Sequence, residues 1–219
     1  MITNCWIMKK FNRQLDIYCK KRIEEFEMID PERKLKLIAL SEYILSKTIE
    51  NKIVDLTFIC THNSRRSHFG QLWAQTASYW YGIESIRTFS GGTESSALNI
   101  RVVNALKRAG FKVHIENADK INPVYLIKQG EDYIANRMYS KTYDHPENPS
   151  RDFAAIMVCS DADANCPFVP GADQRFSINY DDPKEYDGTP LEKEKYDERC
   201  ADIAREMFFV FSNVKKNEI

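Results

Sequence analysis

Cys60 and Arg66 stand with five residues between them in the stretch Phe58-Ile59-Cys60-Thr61-His62-Asn63-Ser64-Arg65-Arg66-Ser67-His68. A thiol and a guanidinium at this spacing suit nucleophilic attack on an oxyanion. The peptide N–H groups of a short loop leading into a helix can turn inward together and cradle an anion. The same field lowers the pKa of a cysteine at its centre, which makes Cys60 a candidate thiolate at neutral pH. Arg66 offers a planar fork to two oxygens of a tetrahedral guest. Ser67 can donate its hydroxyl to the sulfur. Thr61, His62, Asn63, Ser64, Arg65, Arg66 and Ser67 are therefore the expected oxyanion-binding residues, and phosphorus or arsenic the expected target. The competing reading is a buried structural cysteine at a strand end beside a solvated arginine.

Such a loop has to be held by a strand before it and a helix after it, and the flanks supply both. Lys52–Ile59 is rich in β-branched and apolar residues, as a buried strand requires. Phe69, Leu72, Trp73, Thr76 and Trp80 recur at helical spacing. A second strand is expected at Ile86–Phe89, running into Ser90-Gly91-Gly92-Thr93, where the paired glycines suit a tight turn. A helix follows with Ala97, Ile100, Val103, Leu106 and Lys107 on one side and Gly110 as its stop. Phe153–Cys159 reads as a buried strand, Arg175–Tyr180 as a shorter one, and Pro190 to about Val214 as a helix with Tyr196, Cys200, Ile203, Met207 and Val210 inward.

Strands alternating with helices argue a parallel sheet covered on both faces. Ligands of such sheets sit at the carboxyl ends of the strands, where Cys60 and Cys159 both fall. The expected class is α/β, with a four-stranded parallel sheet and two additions. One is an N-terminal helical hairpin over residues 1–50, separate from a catalytic domain at 51–219. Its first helix carries Phe11, Leu15, Tyr18, Arg22 and Phe26. Its second starts at Asp30-Pro31 and carries Leu35, Ile38, Leu45 and Ile49, with Leu37, Leu40 and Ile44. The other is a β-hairpin of Val124–Lys128 and Asp132–Arg137 about Gln129-Gly130-Glu131. Tyr139–Arg151 is polar, contains two prolines and reads as a surface loop.

Cys-x5-Arg-Ser after a strand, with Asn63 and Ser67 in place, resembles the low-molecular-weight protein tyrosine phosphatases and the thioredoxin-coupled arsenate reductases that share their fold. The resemblance covers roughly residues 52–214, and residues 111–150 depart from it most. It implies that Asp182, directly before Pro183, is the acid above the anion loop: it protonates a leaving oxygen in a phosphatase, or helps hydroxide leave arsenic in a reductase. Asp181 beside it is expected only to cap or hydrogen-bond that loop.

Cys159-Ser160-Asp161-Ala162-Asp163-Ala164-Asn165-Cys166-Pro167 separates the two relatives. Phosphatases of this kind need only the loop cysteine and the acid, whereas the reductases also carry a Cys-x6-Cys pair here. The resemblance implies a relay with Cys60 first, Cys159 second and Cys166 third, ending in a disulfide that a thioredoxin-like reductant opens. In a helix, residues seven apart lie roughly 10 Å apart, while a disulfide needs Cα atoms within about 7 Å. A helical segment would have to unwind, so Ser160–Gly171 is expected to be mobile. A zinc site using these cysteines with His62 or His68 fits the usual spacings poorly.

Some positions depart from the pattern. His62 stands where these families usually have glycine, which predicts a more restricted loop, or an imidazole reaching the anion. Arg65 stands where many have a second loop cysteine. Gln71 stands where some reductases use a glutamate to hold potassium, so no metal is expected. Lys184 and Glu185 precede Tyr186 where phosphatases place aromatic residues, which weakens the phosphotyrosine reading. The leading expectation is reduction of arsenate to arsenite. The alternative is phosphotyrosine hydrolysis through a cysteinyl-phosphate, and a third is an oxyanion-binding module without turnover.

The composition fits these readings. A formal net charge of −1 indicates no general nucleic-acid or membrane field. Six cysteines scattered over 219 residues do not make a disulfide scaffold. No leader or membrane span is evident, and a reducing cytoplasm is the expected setting. No organic cofactor is expected.

Overall fold

The computed structural model describes residues 10–218. Cys5 and the first nine residues of the 1–50 extension lie outside them.

Strand β1 (Val54–Cys60) is buried at every position, so neither of its faces can be left polar without a partner. Its one charged residue, Asp55, is answered by the Arg87 guanidinium, which donates twice at 2.6 Å. Parallel neighbours flank it: β2 (Ile86–Gly92) on one side, β6 (Phe153–Met157) on the other, and β7 (Ala172–Ser177) beyond, giving the order β2-β1-β6-β7. The chain leaves β1 in one direction to form β2 and later returns on the other side to form β6. The carboxyl ends of β1 and β6 therefore flank a topological switch point, where a crevice opens. Helices flank the sheet, as expected for a parallel arrangement.

The crossover helices follow the expected periodicity in part: Lys107, expected on the inward side, is exposed, and Ala97 precedes its helix. Helix α3 (Arg66–Tyr81) buries Phe69, Leu72, Trp73 and Thr76 completely and ends on left-handed Gly82. Helix α4 (Ile100–Ala109) buries Val102, Val103 and Leu106 and stops at left-handed Gly110. Ile100, expected inward, is half-exposed, because it occupies the first turn beyond the edge of the core. Helix α6 (Glu192–Asn217) turns Tyr196, Cys200, Ile203, Met207 and Val210 inward, as its spacing predicts.

The N-terminal extension folds as α1 (Arg13–Glu24), a 3-10 turn and α2 (Pro31–Ile49). The Asp30 carboxylate caps α2, accepting from the Glu32 and Arg33 amides, with Pro31 at the first helical position. The inward stripe of α2 is Leu37, Leu40, Ser41 and Ile44, while Leu35 and Ile49 face solvent. The stripe is set by α6: Ser41 donates to Leu37 O and lies 3.1 Å from Val210 O, so a small residue marks the crossing. Leu15, Leu37, Leu40 and Ile44 share one continuous core with the sheet and α6.

Residues 112–138 form a second, antiparallel sheet of β3 (Lys112–Asn117), β4 (Val124–Lys128) and β5 (Asn136–Met138). The return arm is shorter than expected, and Asp132–Ala135 lie in the connection. The Tyr133 ring packs on Phe11 and Tyr79 at about 5 Å, which pulls this stretch out of the ladder. No helix among the described residues is long and apolar enough to cross a membrane.

Candidate active site

The loop after β1 is built by turning its carbonyls outward. Cys60 O accepts from Thr93 N, and Thr61 O from Glu94 N and Thr93 Oγ1. His62 O accepts from Ser96 Oγ and Ser140 Oγ, and Ser64 O from Asn99 N. The amides of residues 61–67 donate to no protein acceptor among the described residues. With the carbonyls committed outside, those N–H groups are left for a guest, as an anion nest requires.

Asn63 fixes the turn. It is fully buried with φ +43°, a left-handed conformation that asparagine tolerates better than most residues. Its amide donates to Ser67 Oγ at 2.9 Å, and its side-chain oxygen accepts from Lys141 N at 2.8 Å. Asn63 O lies 2.8 Å from His68 Nε2. A carbonyl only accepts, so Nε2 carries the proton and Nδ1 accepts from Ser90 Oγ. Burial, with Lys141 nearby, pushes the His68 pKa down to about 3, so the ring is neutral. Ser67 Oγ stands 3.1 Å from Cys60 Sγ; since it already accepts from Asn63, its own proton is free to point at the sulfur.

Since Asn63 carries the left-handed angle, a side chain at position 62 needs no glycine. The His62 ring lies half-exposed, 3.7 Å from Glu94, rather than reaching into the nest. Ser90-Gly91-Gly92 is not a turn but the extended end of β2. A Cβ on Gly92 would stand 2.6 Å from Thr61 O and 2.7 Å from Asn63 N, so the missing side chain lets β2 press on the loop.

Tyr139–Arg151 also differs from its expectation as a surface loop. Ser140, Lys141 and Asn148 are buried. Lys141 O accepts from Gly92 N, and the Asn148 amide donates to Ser90 O. The segment is a strap that closes the loop from outside, and its short polar side chains answer carbonyls that sequence cannot place.

Cys60, Thr61, His62, Ser64, Arg65, Arg66 and Asp182 line a small, tight hollow of about 10 Å³. Arg66 donates to Tyr180 O and to Asp182 Oδ2, both at 2.7 Å, and Arg65 donates to Asp182 Oδ1 at 2.8 Å. Arg65 is thus buried beside the carboxylate. Arg66 Nε is buried without a hydrogen-bond partner. Burial raises the Asp182 pKa, but the Arg66 charge and the Arg65 hydrogen bond outweigh it and hold the carboxyl below its usual range. Asp181 is exposed and faces Arg199 at 3.6 Å. Sequence reasoning missed Tyr180, because a backbone carbonyl leaves no signature in residue type.

Cys159 follows β6. Ile59 pairs with Met157, and Val158 N donates to Ile59 O at 2.9 Å, so Cys159 emerges beside the start of the loop. Its sulfur is buried, 3.4 Å from Thr61 Oγ1 and 3.4 Å from the Ala162 amide it caps. The short helix α5 (Ser160–Asn165) runs from Cys159 to partly buried Cys166. Asp163 staples it: its carboxylate accepts from Ser177 Oγ at 2.7 Å, Asn179 Nδ2 at 2.9 Å and the Arg175 guanidinium. Arg175 also donates to Asp163 O and Cys166 O. The structure therefore gives this segment a defined helix with a latch. No group of three or more metal-ligating side chains gathers among the described residues.

No protein-family model matches the chain. An arsenate reductase of Bacillus subtilis is 28% identical over 154 residues, 70% of this chain and 90% of the relative. One from Staphylococcus aureus is 27% identical over 128 residues, 58% of this chain and 76% of the relative. Among solved structures, a low-molecular-weight phosphotyrosine phosphatase of Vibrio cholerae overlaps 75% of this chain and 98% of its own, with TM-score 0.47 and 12% identity. An arsenate reductase of Archaeoglobus fulgidus overlaps 72% and 98%, with TM-score 0.44 and 16% identity. Arsenate reductases are among the chain's relatives in sequence.

Proposed function

We propose that the protein reduces arsenate to arsenite through Cys60, Cys159 and Cys166, with electrons from a thioredoxin-like dithiol. The supporting observation is that Cys159 lies beside the loop that holds Cys60, 3.4 Å from Thr61 Oγ1, and that α5 leads from it to a third cysteine, Cys166. A phosphatase needs only Cys60. Arsenate enters the hollow with its oxygens on the free loop amides and on Arg66. The Cys60 sulfur attacks arsenic, a sulfur–arsenic bond forms, and hydroxide leaves with a proton from Asp182. In the empty site Asp182 is a carboxylate held low by Arg66. A bound oxyanion occupies the Arg66 charge and adds its own, so the same carboxyl takes up a proton when the substrate arrives.

Cys159 then attacks the Cys60 sulfur. The sulfur–arsenic bond breaks, its electron pair departs with arsenic as arsenite, and a Cys60–Cys159 disulfide forms. Cys166 attacks Cys159, which frees Cys60 and leaves a Cys159–Cys166 disulfide for the reductant. In sum, arsenate and two thiols become arsenite, water and one disulfide. Both cysteines flank a helix, so the last step requires α5 to unwind and Asp163 to leave its partners. A reducing cytoplasm is the setting this chemistry requires.

The test is arsenate-dependent NADPH oxidation by the purified protein with thioredoxin and thioredoxin reductase. It is expected to proceed, and to vanish in Cys60→Ser, Cys159→Ser and Cys166→Ser. Aryl phosphate hydrolysis that survives in the last two variants, with no arsenate turnover in the wild type, would replace this reading by the phosphatase. Oxyanion binding with neither turnover would leave a binding module.

A further inference from the structure

We propose that the N-terminal extension is a positioning device for the acid loop, with Arg33 of α2 acting on Asp182 and Arg66 through Glu206 and Tyr180. This rests on the catalytic reading above and gives that reading a part outside the region that resembles the family.

Tyr180 is the pivot. Its amide donates to Val158 O at 3.2 Å, next to Cys159, and its carbonyl takes the Arg66 guanidinium at 2.7 Å. Asp182 follows two residues later. The backbone of Tyr180 therefore sets where both Arg66 and the acid stand. What fixes Tyr180 is its side chain, buried and aimed away from the hollow. Its hydroxyl donates to Glu206 Oε2 at 2.5 Å, and burial beside Glu206 keeps it protonated by raising its pKa.

Glu206, on α6, is itself nearly buried and cannot stand alone as a charge. Arg33 answers it with a two-pronged bond, Nε to Oε1 at 2.9 Å and Nη2 to Oε2 at 2.8 Å. The same guanidinium lies over the Tyr180 ring, 4.6 Å from its centre, where the ring quadrupole attracts it. Arg33 sits in the first turn of α2, which the Asp30 cap starts at a fixed point. An arginine from outside the sheet thus grips both the ring and the carboxylate that hold the pivot. A lysine could not fill the role, since it lacks the fork.

The experiment is a double-mutant cycle on the full chain, with arsenate turnover as the readout and urea unfolding as the check on folding. Asp182→Asn is expected to cost about 100-fold in kcat, in the range for a general acid, and Arg33→Ala about 10-fold. If Arg33 works through the acid loop, the double variant loses about 100-fold rather than about 1,000-fold, because a misplaced acid has little left to lose. Arg33→Lys is expected to recover only part of the loss. Tyr180→Phe, which keeps ring and carbonyl, is expected to lose about 3-fold with the same non-additivity, and it carries the cycle if Arg33→Ala does not fold. Additive losses, or wild-type kcat in Arg33→Ala, would overturn the proposal. A wild type that turns over no oxyanion would instead overturn the catalytic reading, and this inference with it.

Discussion

Replacing Asp163 by alanine tests whether α5 is a latch on the proposed disulfide relay. In the reduced protein the carboxylate accepts from Ser177, Asn179 and the Arg175 guanidinium. A closed Cys159–Cys166 bond is incompatible with the helix between those residues, so these bonds stabilise only the dithiol state. The pair is partly exposed, with about a fifth of the Asp163 side chain in solvent, so each bond is counted at about 1 kcal/mol rather than at the value for a buried charge. The sum is about 3 kcal/mol. For a two-electron couple about 1.4 kcal/mol corresponds to 30 mV. Asp163→Ala is therefore expected to make the potential of the Cys159–Cys166 couple about 60 mV more negative. The assay is equilibration in dithiol–disulfide buffers, followed by alkylation and mass spectrometry of the cysteine peptides. Asp161→Ala is the control: Asp161 lies on the same short helix, is exposed, and carries the same charge without the latch. It is expected to move the potential by less than about 10 mV. An unchanged or more positive potential in Asp163→Ala, or an equal shift in both variants, would refute the latch.

Gly92→Ala places a methyl 2.2 Å from Glu94 O and 2.6 Å from Thr61 O; it is expected to cost about 1–3 kcal/mol in urea unfolding and to weaken phosphate binding measured by calorimetry. His68 is neutral in the fold, with its pKa pushed down to about 3, while the unfolded chain binds a proton near pH 6.5. Its contribution to stability is therefore present above about pH 6.5 and is lost as the pH falls toward 3. His68→Gln is expected to flatten that part of the stability–pH curve. Asp182, held below its usual range by Arg66 against burial, contributes stability above about pH 4 that is lost as the pH falls through its folded value; Asp182→Asn is expected to remove that acid-side loss.

Sequence carried the sheet, the crossover helices and the loop well, because each depends on residue types at local spacing. The inward stripe of α6 and the cap of α2 were legible for that reason. The inward stripe of α2 was not: Leu35 and Leu37 are equally apolar, and the choice between them is made by α6 pressing against Ser41. The return arm of the β4 hairpin was misplaced because Tyr133 prefers an aromatic cluster to a ladder, a long-range choice. At the site, Cys60 and Arg66 stand out by type and spacing, and Asp182, Cys159 and Cys166 by the resemblance; the structure brings Asp182 onto Arg65 and Arg66 and sets Cys159 beside Thr61. Tyr180 O, Ser140 and Lys141 N do not stand out, since what matters in them is a backbone group or a short hydroxyl delivered by tertiary contact. Arg65, ambiguous by type, is resolved only by its bond to Asp182.

Cys60, Cys159 and Cys166 are proposed to move two electrons to arsenic. The most direct measurement is a single turnover without any reductant: fully reduced protein is mixed with excess arsenate, and both arsenite and the cysteine pairing are quantified. Close to one arsenite per chain is expected, with a disulfide joining Cys159 to Cys166 and Cys60 left as a free thiol. No arsenite, or arsenite formed with Cys159 and Cys166 still reduced, would contradict the proposed relay.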